Sequence, residues 1–240
     1  MIAGQPEERT IVPDPTGVGD AMRAAGVDLV ANLWPMVPLN LLWALACICV
    51  AFVTVFVGVV GFLFVPLLGI PLAGVFRAAA RVQRTDAATF PDAFSSWRAH
   101  ALPSVLLWLL PLAAGVAFGA NLAVALNAGD LAAAVFAALG FWSLLAATSY
   151  ALIVWPLVVD PVRAGQPLGA RLRLAAVVFV QRALRLLIVT AIAVVLFVLI
   201  PALLAVLLVV GASYIALAAS RYVLPTADRL EGRATKRVPA

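Results

Sequence analysis

His100 is the only histidine in the chain and so the one side chain with an ordinary pKa suited to shuttling a proton near neutral pH. Catalysis through it would need a nucleophile or an orienting carboxylate within hydrogen-bond reach, and the sequence nominates neither. Carboxylates buried in a bilayer can relay protons, but Asp130 and Asp160 both stand at the ends of apolar runs. Asp160 precedes Pro161, which reads as a turn or cap. Cys47 and Cys49 lie two positions apart, hence on different faces of a helix. A structural zinc takes four ligands, so this pair is read as free thiols that pack. There is no phosphate-cradling glycine loop and no nucleophile elbow. No catalytic, cofactor-binding or metal-ligating residue is therefore nominated, and a non-enzymatic chain without a cofactor is expected. A membrane enzyme would require Asp160, His100 and the loop arginines to converge.

A second set of polar groups stands within apolar runs: Asn40, Asn121, Ser149, Thr190, Ser213 and Tyr214 among them. In a membrane such groups bond to neighbouring helices or to their own backbone, each contact contributing about 0.6 to 2 kcal/mol. The same groups could line a path for a neutral solute, but packing is the default expectation. Gly115 and Gly119 have the spacing that lets a second helix approach closely.

The elements that carry these residues are dictated by composition. Of 240 residues, 65% are hydrophobic and 11% charged, against about a quarter charged in a soluble domain. Too little polar surface exists to cover a water-soluble fold of this size, so lipid must solvate the excess. No residue from Leu29 to Phe76 is charged, about twice the ~20 residues one crossing needs. A turn at Gly58 to Gly61 divides that run into helices at roughly Pro38 to Val57 and Phe62 to Val82. Between Ala101 and Val159 the only charge is Asp130, and Asn127, Gly129 and Asp130 mark the turn of a second hairpin. The run Leu186 to Ser220 would span about 52 Å as one helix, so it is read as two crossings meeting near Pro201. The fold expected is all-α: a polytopic transmembrane helix bundle of six spans arranged as three hairpins.

Charge placement tests that count. The net charge of +5 could point to nucleic acid, but every Lys and Arg falls on one side of the six-span topology. Two lie in the N-terminal segment, four after span two, five after span four and five in the tail, which accounts for all 16. The short connections near Gly58, Asp130 and Pro201 carry none. Cytoplasmic loops are enriched in these residues, so both termini are expected in the cytoplasm. Reading the last run as a single helix would move the tail's basic residues outside, and is rejected for that reason. The expected partner is the bilayer, with no nucleic acid.

Residues 1–16 are polar and proline-containing and read as a flexible arm, 17–224 as one transmembrane domain, and 225–240 as a basic tail against the anionic leaflet. Short interfacial helices are expected on the cytoplasmic side. One carries the stripe Phe90, Phe94 and Trp97 behind a Thr89–Asp92 capping box, and another carries Leu168, Leu172, Ala175 and Phe179.

Four stretches resemble the YesL-like family of bacterial polytopic membrane proteins: NLLW at Asn40 to Trp43, PLLGIPLAG at Pro66 to Gly74, the RAAARVQR segment after it, and FPDAFSSWRAH before span three. The likeness covers roughly Leu39 to Leu110 and departs after Trp43, where ACICVAF stands. It implies a bacterial cytoplasmic membrane protein of unassigned activity, from a family whose members look like neighbours of carbohydrate uptake and polysaccharide-use systems. The functional expectation is an accessory or regulatory partner of a carbohydrate transporter. The rival is a small transporter or channel for a neutral solute.

Overall fold

The structure is a computed structural model and describes residues 17–199 and 210–233. The N-terminal arm, the turn near Pro201 and the last residues of the tail lie outside the described residues. Helices make up nearly all of the rest, and no strand occurs among the described residues. In chain order they are α1 (Val18–Ala31), α2 (Leu33–Val57), a 3-10 segment (Gly58–Leu68), α3 (Gly69–Thr85), α4 (Phe90–Ala128), α5 (Leu131–Val159), a short 3-10 turn (Pro161–Arg163), α6 (Leu168–Leu199) and α7 (Ala212–Leu230). Among the described residues, three stretches are long and apolar enough to cross a membrane: Leu33–Thr85, which is broken at Gly58, Phe90–Ala128 and Leu131–Val159.

The two expected turns fall where glycine permits them. Gly58 ends α2 at φ +68°, a conformation that side chains resist. Three residues on, a Cβ at Gly61 would sit 2.3 Å from the Thr54 Cα, so only glycine lets the returning chain lie against α2. Gly129 closes α4 at φ +65°, and Asp130 caps α5 by accepting the Ala133 N–H at 2.7 Å. Beyond Gly61 the chain departs from the expected Phe62–Val82 α-helix. It stays 3-10 as far as Leu68, and α-helix begins only at Gly69. Pro66 cannot donate to the helix ladder, whereas Pro71 falls in the first turn of α3, where a missing N–H costs nothing.

The segment read as a short helix before span three is helical and forms the first part of α4. Its capping box forms, with Asp92 accepting from the Thr89 N–H at 3.2 Å and the Thr89 hydroxyl at 2.8 Å. Non-helical dihedrals at His100 separate it from the rest of α4, and Pro103 is the cause, since its ring displaces the carbonyl one turn back. The stripe on this helix is divided: Phe94 is exposed, while the Trp97 ring seats on Gly74 of α3.

Two expected surfaces turn inward instead. Leu168, Leu172 and Phe179 pack on the protein core and Ala175 is buried in it, because α6 is continuous and lies along α5. Helix α7 continues to Leu230, six residues past the boundary read for the tail, and buries Ala227 and Asp228. Helix α1, not foreseen as an element, packs Ala21 and Ala25 on α7.

The core is asymmetric along the bundle. Alanine-rich α3 lies at its centre between α4 and α7, with Val75, Phe76 and Val82 fully enclosed. Away from that core the apolar side chains point outward: Phe52, Leu63, Val116 and Phe136 are all at least 60% exposed. Such a continuous apolar surface is compatible with a membrane protein.

Candidate functional site

Where α3, α5 and α7 end, four ionisable side chains are almost wholly buried together: Arg84, Asp160, Arg163 and Asp228. Asp160 is placed by the end of α5, which Pro161 stops, and its Oδ1 accepts the Val162 N–H that opens the 3-10 turn. That turn swings Arg163 back beneath Asp160, with which it makes an ion pair. Arg84, on the last turn of α3, donates to Asp160 at 2.7 Å and to Asp228 at 2.6 Å. Arg163 reaches Asp228 at 2.6 Å and Glu231 at 2.7 Å, and Gln166 completes Glu231 at 2.8 Å. Each guanidinium thus meets both aspartates. Burial alone would lower the Arg163 pKa, but Asp160, Asp228 and Glu231 outweigh it and hold the charge above its ordinary range.

Two further arginines close the end of α5. Arg77 donates to the Val159 carbonyl and Arg171 to the Val158 carbonyl, each at 2.6 Å. These oxygens have no partner within the helix, and cations there also complement its dipole. Arg171 goes on to the carbonyls of Ala164 and Gln166 at 3.0 and 2.6 Å. On the neighbouring helix His100 Nδ1 lies 3.3 Å from the Ser96 Oγ, and both Arg77 and Arg171 are within electrostatic reach of it. Ser96 is buried and also donates to the Ala73 carbonyl at 3.5 Å.

No protein-family model matches this chain, and no curated protein or solved structure is significantly similar to it. The chemistry of the site is therefore a matter of its own geometry. Asp160 and the loop arginines do gather at one end of the bundle, but the guanidiniums are engaged by carboxylates and carbonyls, and Ser96 holds His100 from inside its own helix. This is an arrangement for fastening helices. Sequence reasoning placed Asp160 at its turn and left Asp228 in the tail. The only signal for the pairing was that Arg84, Asp160 and Asp228 each stand at the edge of an apolar run, at separations of 76 and 144 residues.

The polar groups within the apolar runs are mostly absorbed by packing. Asn40 is fully buried and accepts the Ser213 N–H at 2.8 Å, while the Ser213 hydroxyl donates to the Met36 carbonyl at 2.9 Å. Ser149 and Thr190 hydroxyls pair across α5 and α6 at 2.9 Å, and Tyr150 donates to the Leu172 carbonyl at 3.1 Å. The close approach of α4 to α5 is made at Gly140, whose Cβ would lie 3.1 Å from the Phe118 Cα. Gly119 faces open space instead. Cys47 and Cys49 are unpaired thiols.

A cavity of about 640 Å³ lies between the 3-10 segment, α3, α4 and α5. Neither Asn40, Asn121 nor His100 lines it; its walls are apolar side chains with Thr148 among them. The stacked rings of Phe76 and Trp155, 5.7 Å apart, pack at its edge.

Proposed function

We propose that this chain is a six-crossing protein of the bacterial cytoplasmic membrane, with both termini in the cytoplasm, that serves as a non-enzymatic accessory partner of a carbohydrate uptake system. The observation that carries the topology is the Arg84–Asp228 contact, which puts the end of α7 beside the ends of α3 and α5. In a chain of three hairpins these are the ends of the second, fourth and sixth crossings, and they must share one side. The basic residues share that side too, as the positive-inside rule requires. The carbohydrate-system partner rests on the YesL-like resemblance. The charged cluster suits a fixed scaffold, since its side chains satisfy one another, and Arg98, Arg173 and Arg185 are exposed to meet a partner.

The expected result of tagging the chain, extracting it in gentle detergent and identifying what copurifies is a transporter subunit in stable proportion. Repeated recovery of the chain alone would end the accessory role. Flux of a neutral solute through the purified protein in liposomes, lost on Asn40→Leu, would replace it with the transporter reading.

A further inference from the structure

The cavity between α3, α4 and α5 opens on the surface of the bundle, so whatever medium surrounds the protein there can enter it. Water is a poor occupant. An ordered water needs two to four polar partners, and the walls offer the Thr148 hydroxyl and the unpartnered Trp108 indole N–H among apolar groups, too few to hold water throughout about 640 Å³. A sugar would fare worse, because each hydroxyl buried without a hydrogen bond costs a few kcal/mol. The space therefore requires an apolar guest. Its mouth indicates the source: Phe62 and Val116 line the cavity and are also 51% and 62% exposed, so the opening is continuous with the outward-facing apolar surface of the bundle.

We propose that this cavity is a binding site for one acyl chain of a bilayer phospholipid. The site is built by a difference in side-chain size. Gly115 on α4 and Thr148 and Ala151 on α5 all line it, and these small residues leave the room that Leu107, Trp108 and Leu144 enclose. Pro111 removes one rung of the α4 ladder beside the opening, and the 3-10 course of the preceding segment brings Phe62 to the rim. A Cβ at Gly115 would meet nothing closer than Leu144 Cδ1 at 3.8 Å, so the space can be filled by substitution without collision.

The acyl-chain site rests on the proposed membrane location, and the test separates the two. Single-tryptophan chains retaining either Trp155, which lines the cavity and is 3% exposed, or Trp142, which is 55% exposed on the outer face of α5, are reconstituted in phosphatidylcholine vesicles with brominated or ordinary acyl chains. Bromine should quench both residues, and Gly115→Leu should at least halve the quenching of Trp155 while leaving Trp142 unchanged. Quenching of Trp142 with none at Trp155, or quenching of Trp155 that Gly115→Leu does not alter, overturns the acyl-chain site and leaves the membrane location standing. Absence of quenching at both residues overturns the membrane location as well. Native mass spectrometry of the full chain with all its tryptophans, released from phosphatidylcholine vesicles, gives a second measurement. One phospholipid should be retained, lost in Gly115→Leu and Thr148→Leu, and kept in Gly119→Leu, which fills open space on the same helix. Equal retention in all four proteins would refute the site.

Discussion

Asp160 and Asp228 show how far a buried ion cluster depends on each of its members. Each aspartate contacts both guanidiniums, so Asp160→Asn or Asp228→Asn leaves two buried positive charges sharing one buried aspartate. Breaking a buried pair in this way costs about 3 to 5 kcal/mol, and thermal denaturation in detergent should show a large fall in melting temperature for either variant. At Gly61 the chain has no room for a single methyl group, given the 2.3 Å approach to Thr54. Gly61→Ala should cost about 1 to 3 kcal/mol by overpacking, whereas Gly119→Ala, which faces open space, should leave the melting temperature nearly unchanged. Residue types announced the turn at Gly58 to Gly61 because positive φ and close approach both select glycine. They did not announce the cluster, since an aspartate before a proline looks the same whether it ends in solvent or between two arginines.

Helices and their limits were legible to differing degrees. The Thr89–Asp92 capping box lies wholly within four residues and forms as expected. Thr89→Ala should therefore cost about 1 kcal/mol, read as earlier melting, with increased amide hydrogen exchange confined to the first turns of α4. The kink at His100 has an equally local cause, and Pro103→Ala should restore regular helix there, measured as protection of the Leu102 to Ser104 amides. Where a helix points its apolar stripe was not local. Leu168, Leu172 and Phe179 have the spacing of an interfacial helix, yet they face the core because α5 lies alongside and offers Tyr150, whose ring meets Phe179 edge-on at 5.8 Å. An amphipathic period states that one face is apolar and is silent on whether lipid or protein covers it.

At the scale of the whole molecule, the enclosed core lies at the charged end of the bundle and the exposed apolar surface lies away from it. A reporter enzyme active only in the periplasm, fused after Ala240, should be inactive, and the same reporter placed at Asp130 should be active. Activity at the carboxyl end would undo the proposed topology. Charge-reversed Arg84→Asp should destabilise the chain more than Arg98→Asp, since Arg84 joins α3 to both α5 and α7 while Arg98 is exposed. Comparative melting of the two variants checks this.

Composition and spacing alone established an all-helical chain with long apolar stretches, and located the turns at Gly58 and Gly129, because hydrophobic run length and glycine conformation act within a few residues. Tertiary structure decided what the isolated chain could not express. It paired Arg84 with Asp160 and Asp228 across long sequence separations, chose Gly140 over Gly119 for the close helix approach, and left a cavity opposite Gly115. Each of these depends on which helices become neighbours, and that is set by the summed packing of whole faces.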